Sequence, residues 1–325
     1  MSVSPKIVRR QVEIDFDPVP PGPWFPAGGP LETMFNAASV SFPPTERFFI
    51  AAVRDYQDQI ADPILQEQVR RFIFQEAMHN KVHIDCNAML ARDNPNCRKA
   101  EKVTRVTFQV LGRLPRWFRL SLSSALEHFT SMAADTLPHY PDEFGQIVPA
   151  EVAQMWLWHA AEETEHKAVC FDVHRTVVGS GPFAYLNRIA GMLFATPLFL
   201  FVLLLITAAV LGRGRPRRTP ATSEAPAAVV TPDPVEVVEA RDGDAGPKMT
   251  DSQDTDRNDS AEAPTSDASR FLGRSMLGLL RELVPWRLYF SYYRPSFHPW
   301  DHDNSHFISE WQKRYPDFGL GSATP

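Results

Sequence analysis

Cysteine is scarce in this 325-residue sequence, and Cys86, Cys97 and Cys170 are odd in number and scattered. That excludes a disulfide framework and a thiolate metal site, and it fits a reducing compartment. No glycine-rich phosphate loop is present, which excludes the common nucleotide-binding motifs. No apolar run follows Lys6, Arg9 and Arg10, so no secretory signal is expected. The formal net charge of -6 gives no general attraction to nucleic acid, and no nucleic-acid partner is expected. No internal repeat is visible beyond one short motif that occurs twice.

That motif is Glu-x-x-His. Its copies are Glu76 with His79 and Glu163 with His166, and each is preceded by a lone glutamate, Glu46 or Glu127. The order Glu, Glu-x-x-His, Glu, Glu-x-x-His is that of a ferritin-like four-helix bundle with two metal ions in its core. Residues three apart on a helix share a face, so one carboxylate and one imidazole can grip a metal from a single helix. The lone glutamates bridge or complete the pair. Oxygen-rich ligation with few histidines suits iron or manganese better than zinc or copper. We therefore expect two metal ions, iron first, with manganese or zinc open. The plainer alternative is a solvated helix face. It fails where Trp156, His159, Glu163 and His166 share a face that should point inward, because a buried carboxylate without a partner is expensive.

The pattern is all-α. Residues 1–41 are rich in proline and read as an extended N-terminal arm. Pro43 and Pro44 then precede the first bundle helix, with Thr45 in its first turn and Phe49, Val53, Tyr56 and Ile60 as its apolar stripe. In that setting Glu46 also lies in the first turn, where the helix dipole favours a glutamate in any case. The second helix starts at Asp62-Pro63 and runs to about Leu90. A further helix near 100–111 belongs to the long crossover that such bundles use. The third bundle helix spans about 116–137 with Glu127 near its middle, and the fourth about 149–177. Together 42–180 form the bundle.

Other histidines and glutamates divide by position. Glu162 and Glu165 flank the second motif and are expected to face water or Arg and Lys partners. His83 and His159 lie one turn from motif residues; they are expected to orient ligands, with direct ligation open. No further catalytic residue is assigned. His128 reads as a surface or helix-packing residue. His298, His302 and His306 are spaced by four, but Pro299 argues against one helix, so they are expected to pack over the bundle mouth.

Residues 190–211 are nearly unbroken apolar, long enough to span a bilayer. Arg213, Arg215, Arg217 and Arg218 follow, a flank that favours the cytoplasmic side. A single span would place the metal domain outside, against the absent signal and free cysteines. We therefore expect a shallow insertion kinked at Pro197 and a peripheral association on the cytoplasmic face, with a true span and the tail on its far side left open. Residues 213–269 are acidic and proline-rich, an expected disordered linker. Residues 270–318 form a C-terminal segment, amphipathic at first, that should pack on the bundle.

The strings FPPTERFF (42–49), FQEAMHNKVH (74–83), LEHFT (126–130), WHAAEETEHK (158–167) with FDV (171–173), and YRPSFHPWDH (293–302) carry a resemblance. They resemble the bacterial predicted metal-dependent hydrolases over roughly 40–190 and 270–311. Thr45 stands where glycine is expected, and 214–268 looks like an insert. The resemblance implies hydrolysis, in which a metal pair uses a bound hydroxide as nucleophile. The ligand set does not require it. Ferritin-like carboxylate sites more often activate dioxygen, and oxidation or oxygenation of a small, apolar or lipid-like substrate is the leading expectation. It would need an electron donor. Hydrolysis and a non-catalytic membrane-associated bundle stay open, and oligomeric state is not legible.

Overall fold

The computed structural model describes residues 5–25, 30–139, 141–211 and 285–320, and every regular element among them is helical. The helices are α1 (Pro30–Arg54), α2 (Pro63–Asp93), α3 (Asn96–Leu111), α4 (Arg116–Ala134), α5 (Pro141–Ile147), α6 (Ala150–His166), α7 (Val169–Val177), α8 (Pro182–Leu211), α9 (Trp286–Ser291) and α10 (Ser305–Arg314). The fold is all-α. α1 packs on α2, α4 on α6, and the two pairs on each other.

The first helix corrects the sequence expectation. It begins at Pro30, not after Pro44, so the extended arm ends well before residue 41. Two prolines sit inside a helix that should not tolerate them, since each removes a backbone donor. A side chain from α2 compensates for the first of them. The Ser39 carbonyl, which Pro43 cannot reach with an N–H, accepts from Asn87 Nδ2 at 3.1 Å, and Asn80 Nδ2 bonds the Pro43 carbonyl. The added turns carry Leu31, Phe35, Ala37 and Val40 into the core beside Trp156. Glu46 consequently lies deep within the helix rather than in its first turn.

α2 starts as its sequence predicts, with Asp62 accepting from the Ile64 N–H and Pro63 at the first position. α4 ends at Ala134, three residues before the expected Leu137. The fourth helix is not continuous. It breaks at Lys167 and Ala168 into α6 and α7, directly after His166. Lys167 Nζ is drawn to the His302 carbonyl and Asn304 Oδ1, both at 2.7 Å.

α8 lies along α4, α1 and α3. Its inner face buries Ala184, Met192, Ala195 and Ile206, while Leu186, Leu193, Leu200, Phe201 and Leu204 face outward. Gly191 lets it approach: a Cβ there would stand 2.7 Å from the Ser121 carbonyl oxygen. Among the described residues α8 is the one helix long and apolar enough to cross a membrane. Pro197 sits inside it without ending it.

The C-terminal residues 285–320 lie on these helices. Arg188 of α8 bonds the Tyr292 and Arg294 carbonyls, His298 meets Asp172 at 3.1 Å, and His302 meets Asp135 at 3.0 Å. The three tail histidines do not share a helical face, because 299–301 form a separate short turn and α10 starts at Ser305. His306 packs on Phe307. His128 is buried, bonds the Leu288 carbonyl and packs on Tyr292 and Phe297. The expected linker and the start of the C-terminal segment, 212–284, lie outside the described residues.

Candidate metal centre

All six motif residues arrive in one place. Glu46 comes from α1, Glu76 and His79 from α2, Glu127 from α4, and Glu163 and His166 from α6, all buried. His83 and His159 join them. Glu76, Glu127 and His166 bring their donor atoms within 4.8 Å of one another, and so do His79, His159 and Glu163. Glu46 groups with Glu76 and His79, and also with His83 and His159. The motif pairs are thus shared between groups rather than each gripping one point. His166 Nε2 stands 3.1 Å from Glu76 Oε1, 3.6 Å from Glu163 Oε1 and 3.7 Å from Glu127 Oε2.

The donors have no hydrogen-bond partners on this inner side. Both carboxylate oxygens of Glu46, Glu76 and Glu127, one of Glu163, and the Nδ1 of His79 and Nε2 of His159 and His166 are buried without one. Native interiors rarely leave polar atoms so. A concentration of acceptors around a common point is satisfied by a cation, and carboxylate with imidazole is a metal-binding donor set. The residues present therefore fit a bound metal.

Behind the donors lies a support that fixes the imidazoles. Arg10, from the N-terminal arm, bonds Glu162 Oε1 at 2.8 Å and Glu165 Oε1 at 2.6 Å. Glu162 Oε2 meets His79 Nε2 at 3.1 Å. Gln75 Nε2 donates to Glu165 Oε2 at 2.8 Å, which turns its oxygen to His166 Nδ1 at 2.9 Å. Both histidines therefore carry a proton on the outer nitrogen; burial holds the His79 ring neutral with its inner nitrogen bare, whereas Glu163 and Glu76 raise His166, so a metal must displace the proton on its inner nitrogen. Fixing ring and tautomer this way is how proteins prepare histidine for metal. Glu162 and Glu165 are therefore buried structural acids paired with Arg10, not water-facing ones. Arg10 and Gln75 are absent from the sequence-derived candidates.

Residues 8–238 match the family described as predicted metal-dependent hydrolase. The chain belongs to that family. The matched stretch holds Arg10, Gln75 and all eight converging residues, whereas the tail at 293–302 falls beyond it. No curated protein and no solved structure matches the chain.

The electrostatics of the cluster run against four free carboxylates. Burial raises Glu46 and Glu127 well above the usual range, and neighbouring glutamates add to it. Burial raises Glu76 to about 7. Burial also pushes Glu163 up, but His166 and His159 outweigh it and hold Glu163 well below. A metal must displace the protons that the raised groups hold. Affinity should therefore rise as pH climbs through about 7, where Glu76 loses its proton, and fall below it. Titration calorimetry in two buffers of different ionisation enthalpy measures this, with proton release expected at pH 6 and less at pH 8.

A cavity of about 150 Å³ opens between α4, the end of α6 and the C-terminal segment. His128, Lys167, Arg294 and His302 are among its walls, but none of the eight converging residues is.

Proposed function

We propose that this chain is a hydrolase working through a two-metal centre, built in the manner of a ferritin-like bundle. Glu46, Glu76, His79, Glu127, Glu163 and His166 would hold the metals. The observation that carries the reading is the convergence of unpartnered donors from four helices in the buried core of a family-matched region. Glu76 and Glu163, each in reach of more than one imidazole, would serve both halves of the centre. When bound, the metals supply Lewis-acid polarisation and a water of lowered pKa. The chain's own residues hold the donors in register, and Arg10 balances the acids behind them.

The dioxygen reading keeps one support, the carboxylate-rich donor set, which suits iron. The family description favours hydrolysis. A panel of p-nitrophenyl esters, assayed with iron-, manganese- and zinc-loaded protein with and without oxygen, separates the two. Oxygen-independent turnover is expected. Oxygen uptake with iron and reductant, and no ester cleavage, would overturn the hydrolase assignment. Metal binding with neither activity would favour a non-catalytic bundle.

We also propose that α8 meets the membrane lying along it, on the cytoplasmic face, which would suit a small apolar or lipid-like substrate. Its inner face contacts the helical core from Ala184 to Ile206, about 30 Å of helix, the thickness of a bilayer's hydrocarbon. A spanning α8 would drag its packed neighbours into lipid, including exposed Lys99, Lys102 and Arg105 of α3. Exposed Trp117, Trp286 and Phe290 are residues of the membrane–water interface. Binding to lipid vesicles with release by alkaline carbonate is expected; retention in the carbonate pellet would instead indicate a span.

A further inference from the structure

We infer that the two metal positions are unequal, because His159 supplies a third imidazole to one of them, locked in place by a buried chain through His83, Ser39 and Asn87. This rests on the proposed metal centre and extends it.

The protons of that chain can be assigned one by one. Asn87 Nδ2 donates to the Ser39 carbonyl at 3.1 Å, the carbonyl that Pro43 leaves without a helical donor. This fixes the amide, so Asn87 Oδ1 accepts from Ser39 Oγ at 2.8 Å. A hydroxyl has one proton, and this bond uses it. Toward His83 Nδ1, at 2.9 Å, Ser39 Oγ can therefore only accept, and His83 carries its proton on Nδ1. His83 Nε2 is then a bare acceptor, 2.8 Å from His159 Nδ1, which must carry the proton. His159 Nε2 is left bare.

That nitrogen lies 3.1 Å from Glu163 Oε1 without a hydrogen bond. Two lone pairs at that separation repel unless a cation joins them. The His159 ring is buried, stacked 4.1 Å from His79 on one side and 4.6 Å from Phe42 on another. The His79 Nδ1, also bare, stands 3.6 Å from the same Glu163 oxygen. His79, His159 and Glu163 thus make a position with two imidazoles and one carboxylate. Glu76, Glu127 and His166 make another with one imidazole and two carboxylates. The first favours zinc-like borderline metals and the second harder ones such as manganese. His83, Ser39 and Asn87 are positioning residues: they touch no donor oxygen of the second set and act through the His159 tautomer.

The test is zinc titration by calorimetry, with metal analysis of the dialysed protein, on wild type, His159→Ala, Ser39→Ala, Ser39→Thr and Asn87→Ala. Wild type should bind in two steps of different affinity. His159→Ala should lose the tighter zinc step and keep the other. Ser39→Ala and Asn87→Ala should weaken the tighter step by about 10- to 100-fold, as removal of outer partners typically does, and Ser39→Thr should restore it. Unchanged two-step binding in His159→Ala would overturn the inference, and so would two equal steps in wild type. Should His159→Ala fail to fold, identical zinc affinities for Ser39→Ala and Ser39→Thr would overturn it independently. A wild-type protein that binds no metal would instead sink the proposed centre itself, a separate outcome.

Discussion

Replacing Arg10 with alanine should destabilise the folded chain by about 3–5 kcal/mol, the usual effect of breaking a fully buried ion pair from one side. Arg10 is 2% exposed and holds Glu162 and Glu165, both buried. Burial already raises both acids, and Arg10 is what opposes it. Without the guanidinium they take up protons, and their folded-state pKa values rise further above those of the unfolded chain. Groups shifted that way contribute stability fully present below the unfolded carboxylate pKa and lost as pH rises through the folded one. The deficit should therefore be largest near neutral pH and shrink toward pH 4. Urea unfolding at several pH values measures it. Arg10→Lys should recover part of the loss, since one ammonium cannot bridge two carboxylates as a guanidinium fork does. Metal affinity should fall along with stability, because Glu162 orients His79 and Glu165 orients His166 through Gln75. An Arg10→Ala protein as stable as wild type at pH 7 would show that the arm is not docked.

The second large effect is expected at Glu163, the carboxylate within 3.6 Å of nitrogens from His79, His159 and His166. Glu163→Gln keeps its volume and removes the anionic donor. Bound metal should drop below one ion per chain, and hydrolysis by about a thousandfold or more, the several kcal/mol that metal catalysis supplies. The metal-free protein should also lose stability, since His166 and His159 hold the Glu163 carboxylate well below its usual range and a glutamine cannot carry that charge. Metal analysis with denaturant unfolding of the stripped proteins separates these terms. Full loading of Glu163→Gln would remove Glu163 from the centre.

Much of the site was legible because it is local. A carboxylate and an imidazole three residues apart on a helix announce themselves in sequence, and α2, α4 and α6 follow from periodicity and from Pro63, Pro115 and Pro149 as starts. What was not legible is set by contacts distant in sequence. Pro43 and Pro44 signal a helix start locally, yet α1 runs through them, with Asn87 of α2 bonding the carbonyl that Pro43 leaves without a donor. The break after His166 has no breaker residue; it coincides with Lys167 reaching the tail. Glu162 and Glu165 on α6 demanded a buried cation, and Arg10 answered from more than 150 residues away. The choice between ligand and supporting role for His159 turns on a tautomer, and the tautomer on Ser39 and Asn87. The apolar run at 190–211 was visible as such, but the inner contacts that lay α8 along the helices were not.

Metal analysis of the protein purified without oxygen tests the central claim most directly. The account predicts about two metal ions per chain, as expected of a paired carboxylate centre, lost when Glu163 or His166 is replaced. Wild-type protein that binds no iron, manganese or zinc, even when each is offered in excess at pH 8, would contradict it.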